Sequence, residues 1–201
     1  SHGTVAHVDR LNWNWDNLLL FNTKIKRHRI SGTLGHSASQ GITRTQTVEG
    51  TNVQQWKAMS DALNSSPYSW LSYGESQSQL LSFFARATYN FDDRYIVTGT
   101  YRFDGSSKFA GANKWAQFPS FAFAWRLSEE PWFKADWVSM AKLRLGWGQV
   151  GNSGVSAYQI FSTYATSHYP DHAEGNEAEY LVGLVPNNVA NPSLKWETTR
   201  Q

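Results

Sequence analysis

Cysteine is absent from the 201 residues, which excludes disulfide staples and thiolate metal sites. Long apolar runs are missing too. The longest are Leu18 to Phe21 and Phe121 to Trp125, far short of the ~18 to 20 residues a transmembrane helix needs, so a helical membrane protein is excluded. An excess of one charge is equally lacking: Lys and Arg total 18 against 16 Asp and Glu. The resulting net charge of +2 is dispersed and offers neither a nucleic-acid groove nor a polybasic membrane patch. There is no nucleophile elbow, phosphate loop or HExxH, so no catalytic constellation or cofactor is implied.

What is abundant is aromatic side chains, with 10 Trp, 9 Tyr and 11 Phe, and their placement is periodic. Leu81, Phe83, Ala85, Ala87, Tyr89 and Phe91 alternate with Ser82, Arg86, Thr88 and Asn90, with Phe84 the one exception. A strand projects successive side chains to opposite faces, so one face here suits lipid and the other suits water. The low mean hydropathy of −0.51 is compatible with this, because a membrane barrel shows lipid only every second residue.

About six strands are predicted. The first runs from about Asn17 to Ile25, and the second begins near His28 after a basic turn at Lys26 and Arg27. From about Gln46 to Ser78 the alternation fails among Gly, Ser, Asn and Pro, which predicts a long loop with a short helix around Trp56 to Leu63. The third strand ends at a tight turn on Asp92 and Asp93. The fourth covers Tyr95 to Asp104, and the fifth carries Pro119, Phe121, Phe123 and Trp125, with Pro119 expected near a strand end or bulge. Ser128 is expected to N-cap one helical turn holding Glu129, Glu130 and Pro131. The sixth strand carries Leu143, Leu145 and Trp147, and a second long loop follows from Val150 to Pro192.

Strands of about 10 to 11 residues, tilted by ~40°, cover ~26 Å, which matches the apolar band of an outer-membrane barrel. Turns at Lys26, Asp92 and Glu130 fall on one side, predicted periplasmic. The Gln46, Gly105 and Val150 loops fall on the other, predicted extracellular. The fold class is therefore all-β, part of a large antiparallel transmembrane β-barrel. The alternative is a secreted carbohydrate-binding β-sandwich, whose strands also alternate, but whose outward faces should not be lined with Phe, Tyr and Trp. The opening Ser1, with no secretory leader after it, and the strand-like start at Lys195, Trp196 and Glu197 predict that residues 1–201 are a partial barrel domain, without plug or remaining strands.

In these same stretches the sequence resembles the SusC/RagA family of TonB-dependent outer-membrane transporters. The matching segments are Ser82 to Asn90, Asp93 to Thr100, Arg102 to Phe109, Phe118 to Ser120, Trp125 to Pro131, Lys142 to Asn152 and Asn191 to Thr198, in the family's order. The resemblance implies a barrel of about 22 strands around an N-terminal plug, lidded by a SusD-like surface lipoprotein. It also implies import of oligosaccharides or peptides, driven through the TonB complex by way of the missing N-terminal part.

Candidate contact residues follow. Trp56, Trp70, Tyr73, Tyr164 and Tyr169 lie in expected loops and offer aromatic faces to a sugar, or else pack a loop core. Asp104 and the residues to Phe109 leave the membrane together and either meet solute or form a turn. Arg86, Arg102, Arg126, Lys142 and Arg144 fall on polar faces and are expected to line the lumen. His168 and His172, near Asp171 and Glu174, are four apart, but Pro170 between them opposes the helix a metal pair would need.

Overall fold

The computed structural model describes residues 2–52, 59–64, 66, 68–135, 137–170 and 180–201. Among the described residues nine strands are formed: β1 His2–Ile25, β2 His28–Thr51, β3 Tyr68–Phe91, β4 Tyr95–Ser106, β5 Trp115–Arg126, β6 Lys142–Asn152, β7 Thr163–Pro170, β8 Tyr180–Asn188 and β9 Glu197–Arg200. Seven make one sheet in the order β1-β2-β3-β4-β5-β6-β9, and β7 with β8 make a separate hairpin. The sheet follows chain order, and β3–β4, β4–β5, β5–β6 and β6–β9 pair antiparallel, the up-and-down pattern of a barrel wall.

Two compact units are formed, Ser1–Trp15 with Ala38–Gln79 and Asp16–Ser37 with Leu80–Gln201. In the first, helix α1 Met59–Asn64 occupies part of the expected helical stretch. Leu63 buries itself against Val48. A Cβ on Gly50 would lie 2.8 Å from Leu63, so glycine makes room for it. The Ser66 hydroxyl donates to the Thr51 carbonyl at 2.6 Å and closes the connection.

Several boundaries differ from the sequence reading. The expected loop from Gln46 to Ser78 is largely strand: β2 continues to Thr51 and β3 begins at Tyr68. β1, β2 and β3 each have 24 residues, more than twice what a tilted transmembrane strand needs. Where both faces of a strand meet water, the apolar alternation that betrays a strand is not required. The expected loop from Val150 to Pro192 contains the β7–β8 hairpin.

Pro119 is interior to β5, opposite Tyr101 with unbroken register, rather than at a strand end or bulge. On the other edge the β5–β6 pairing stops at Ser120 opposite Gly148. The missing N–H of proline thus falls where that ladder ends. Ser128 does not cap a helix. The chain makes a 3₁₀ turn, Leu127–Glu129, with Arg126 at the N-cap and no side-chain cap.

Candidate functional site

Cross-strand register assigns the faces of the second unit. Opposite residues share a face. Phe83 meets Phe103, Ala85 meets Tyr101, and Phe91 meets Tyr95. Gly99 then meets Phe121, Val97 meets Phe123, and Tyr95 meets Trp125. Phe121 meets Trp147, and Phe123 meets Leu145. This aromatic face is open: Phe83, Tyr101, Phe121 and Leu145 expose 45%, 46%, 51% and 60% of their surface, and among the described residues no second sheet packs over them.

The opposite face is hydroxyl-rich and basic. Arg86 faces Thr100, which faces Ser120, and Thr88 shares a hydrogen bond of 3.1 Å with Thr98. Ala124 faces Arg144, and Arg126 faces Lys142. The register therefore places Arg86, Arg102, Arg126, Lys142 and Arg144 on one face, the side opposite the aromatic one. Phe84, the exception in the alternation, also lies there. A Cβ on Gly35 would collide with its ring, and the Arg102 guanidinium stands 5.7 Å from the ring centre. The phenyl thus covers a glycine and supports a cation.

Aromatic rings on the open face gather in two bands. Near the turns, His28, Phe91, Tyr95, Trp125 and Trp132 follow one another at 5.0, 6.4, 6.1 and 6.3 Å. Toward the other end, His36 packs on Phe83, and Trp115 stacks on Phe103 and Phe83. Trp115 and Trp125 stand ten residues apart on β5, ~33 Å along the strand and ~25 Å across a bilayer at a 40° tilt. The sequence reading missed these bands, although the same-face spacing of Trp115 and Trp125 signals them.

At the loop end a knot forms around Asp104. Arg102 Nε donates to both Asp104 carboxylate oxygens at 2.8 Å, and its Nη2 donates to Ser82 Oγ at 2.9 Å. Asp104, Ser82 and Ser106 are buried. The Lys108 backbone N–H donates to Ser106 Oγ, and Lys108 Nζ reaches the Ser153 carbonyl at 3.2 Å. Phe109, Phe118 and Trp196 form a buried cluster with Leu80, Val155 and Leu194 around it. The Trp196 indole donates to the Lys114 carbonyl. Asp104 to Ser106 thus end β4 in the ladder, and with the following residues to Phe109 they tie the β4–β5 connection to the segments after β6 and before β9.

At the turn end the strands are stapled by charge and backbone. The Asp92 N–H donates to the Arg27 carbonyl, and the Arg126 N–H to the Arg94 carbonyl, both at 2.8 Å. Lys26, Asp92 and Asp93 take positive φ, the tight-turn conformation aspartate tolerates. Asn90 donates to Asp93 at 2.6 Å and holds that carboxyl below the usual carboxylate range, with Arg29 and Arg126 adding to the effect. Glu130 accepts from the Tyr95 hydroxyl at 2.6 Å and the Trp125 indole at 2.9 Å, and Arg94 lies 3.8 Å away. Those two hydrogen bonds, Tyr95 first, hold its carboxyl low against the opposing effect of burial.

Trp70 and Tyr73 are exposed on β3. Three residues apart in one strand, they project to opposite faces. The Tyr73 hydroxyl and Arg44 Nε both donate to the same Glu75 oxygen at 2.9 Å. Tyr164 is exposed on the β7–β8 hairpin, outside the seven-stranded sheet, and Tyr169 and His168 belong to β7. Trp56, Asp171, His172 and Glu174 lie outside the described residues.

Comparison with known proteins gives consistent matches. The family model described as TonB dependent receptor-like, beta-barrel matches residues 4–201. TonB-dependent receptor P3 of Formosa agariphila is 31% identical over 92% of this chain and 18% of its own length. TonB-dependent receptor SusC of Bacteroides thetaiotaomicron is 36% identical over 62% of this chain and 12% of its own. The solved RagAB peptide transporter superposes with a TM-score of 0.81 over 98% of this chain and 21% of that chain. At 20% identity that likeness concerns the fold alone. The chain spans about a fifth, or less, of each relative's length.

Proposed function

The chain belongs to the TonB-dependent receptor-like β-barrel family, in its SusC/RagA type, and from that premise we propose that it forms part of the wall of an outer-membrane transporter importing oligosaccharides or peptides. The family is one of outer-membrane β-barrel transporters. The observation that carries the reading is the two-faced sheet, aromatic and open on one side, basic and hydroxyl-rich on the other. An aromatic face without a covering sheet suits hydrocarbon, and a face of Arg, Thr and Ser suits a wet interior.

On this reading Arg86, Arg102, Arg126, Lys142 and Arg144 line the lumen, where they pair with plug carboxylates and neighbouring strands. A SusD-like lipoprotein covers the extracellular mouth, and TonB drives import through a plug. Of the expected solute contacts, Trp70, Tyr73 and Tyr164 present exposed rings, whereas the Asp104 carboxylate is taken up by Arg102.

The test is uptake in the source bacterium. Deleting the gene, or separately inactivating TonB, should each abolish accumulation of one labelled oligosaccharide or peptide class, and restoring the intact gene should bring it back. Undiminished accumulation of every oligosaccharide and peptide offered would overturn the proposal.

A further inference from the structure

The link between β5 and β6 carries an apolar surface uncovered by any described residue: Trp132, Trp137 and Met140 expose 60%, 88% and 65% of their area. The link has a defined direction. Its Glu130 accepts from Tyr95 and Trp125, both on the aromatic face. Trp132 then packs edge-on against Trp125, and Phe133 against Trp132 at 6.1 Å. Hydrogen bonds from Phe133 N–H to the Glu130 carbonyl and from Val138 N–H to the Ala135 carbonyl keep the segment folded in two successive turns. The start of the link, from Glu130 to Phe133, is therefore seated on the aromatic side of the sheet, continuous with the turn-end band of rings.

We infer that Trp132, Phe133, Trp137 and Met140 insert into the headgroup–acyl boundary of the periplasmic leaflet, making this link a phospholipid-binding anchor built onto the barrel. The inference rests on the reading of the aromatic face as lipid-facing. Indole rings favour that boundary, where the ring is shielded and its N–H stays wet. An irregular backbone cannot sit deeper, because its free N–H and C=O groups would be stranded in hydrocarbon. Lys134, next to Phe133, is exposed, and an ammonium there suits lipid phosphates.

The test uses the intact transporter, reconstituted in phosphatidylethanolamine and phosphatidylglycerol vesicles, with one nitroxide-labelled cysteine at a time: Trp137→Cys, Met140→Cys, Phe121→Cys and Arg27→Cys. Collision rates with oxygen and with a water-soluble nickel chelate are compared. Oxygen should dominate at Phe121, nickel at Arg27, and the oxygen-to-nickel ratio at Trp137 and Met140 should exceed that at Arg27 several-fold. Nickel-dominated collisions at both link positions, or shielding of both positions from both reagents as under a covering protein, would overturn the anchor. Nickel-dominated collisions at Phe121 would instead overturn the lipid-facing reading beneath it. Met140→Cys keeps the question decidable where Trp137→Cys fails to assemble.

Discussion

A single carboxylate closes the turn end of this sheet. Glu130 receives the Tyr95 hydroxyl and the Trp125 indole, and these hold its pKa below the ordinary carboxylate value. The sign follows. A carboxyl with a depressed folded pKa contributes stability that is fully present above its unfolded pKa and is lost as pH falls through the folded value. Melting of the detergent-solubilised transporter should therefore weaken as pH is stepped from about 6 to about 3, with the Glu130 contribution starting to fall near the ordinary glutamate value and continuing to fall through the lower folded one. Glu130→Gln should lower the melting temperature at the upper pH and narrow the difference between the two ends. Parallel profiles for parent and variant would show that another group is responsible. Nothing local in the sequence announces this role. Glu129 and Glu130 resemble the acidic start of a helix, and only the fold brings Tyr95, 35 positions away, onto the second of them. Phe84 is similar: it breaks the alternation because Gly35, on a neighbouring strand, leaves a gap its ring fills.

Strands are legible in the sequence where one face is apolar and the other wet. From Leu80 through Lys142 to Gln149 the alternation locates β4, β6 and the latter part of β3, and it places each side chain on the face that the observed register confirms. The start of β5 is missed because the expected loop ends at Lys114 and the alternation is read only from Pro119, which leaves Trp115 to Phe118 unassigned. The upper parts of β2 and β3 are missed because Thr, Ser and Gln suffice where both faces are solvated. This difference in constraint gives a direct expectation. Phe121 lies near the middle of the span between Trp115 and Trp125, on the open face. Phe121→Arg should cost ~2 to 4 kcal/mol, the penalty for a cation near the bilayer midplane. Ala122→Arg, one residue away on the face shared with Thr98 and Gly146, should cost much less. Denaturant titration of both variants folded in lipid vesicles measures the difference. Equal costs would remove the distinction between the faces.

At the scale of the molecule, the order β1-β2-β3-β4-β5-β6-β9 leaves β1 and β9 as outer strands of the sheet. An unpaired strand edge offers a row of free N–H and C=O groups to any other chain. A sheet of seven strands is also too narrow to close around the wide lumen of a transporter. The curated relatives are much longer, since this chain covers only 18% of one and 12% of another. Among the described residues little of the apolar surface is internal: Phe109, Phe118 and Trp196 make one small buried cluster, and Leu63 makes another. Rings such as Trp132, Phe121 and Trp147 remain outside. A polypeptide of these 201 residues, produced by itself in plain buffer, should therefore aggregate through its edges and its aromatic face, and should regain dispersed, strand-rich material only in detergent. Sedimentation and far-ultraviolet circular dichroism check both halves of that expectation. A monodisperse monomer that unfolds cooperatively without detergent would mean that the aromatic face is covered from within the chain, and the membrane reading would fall with it.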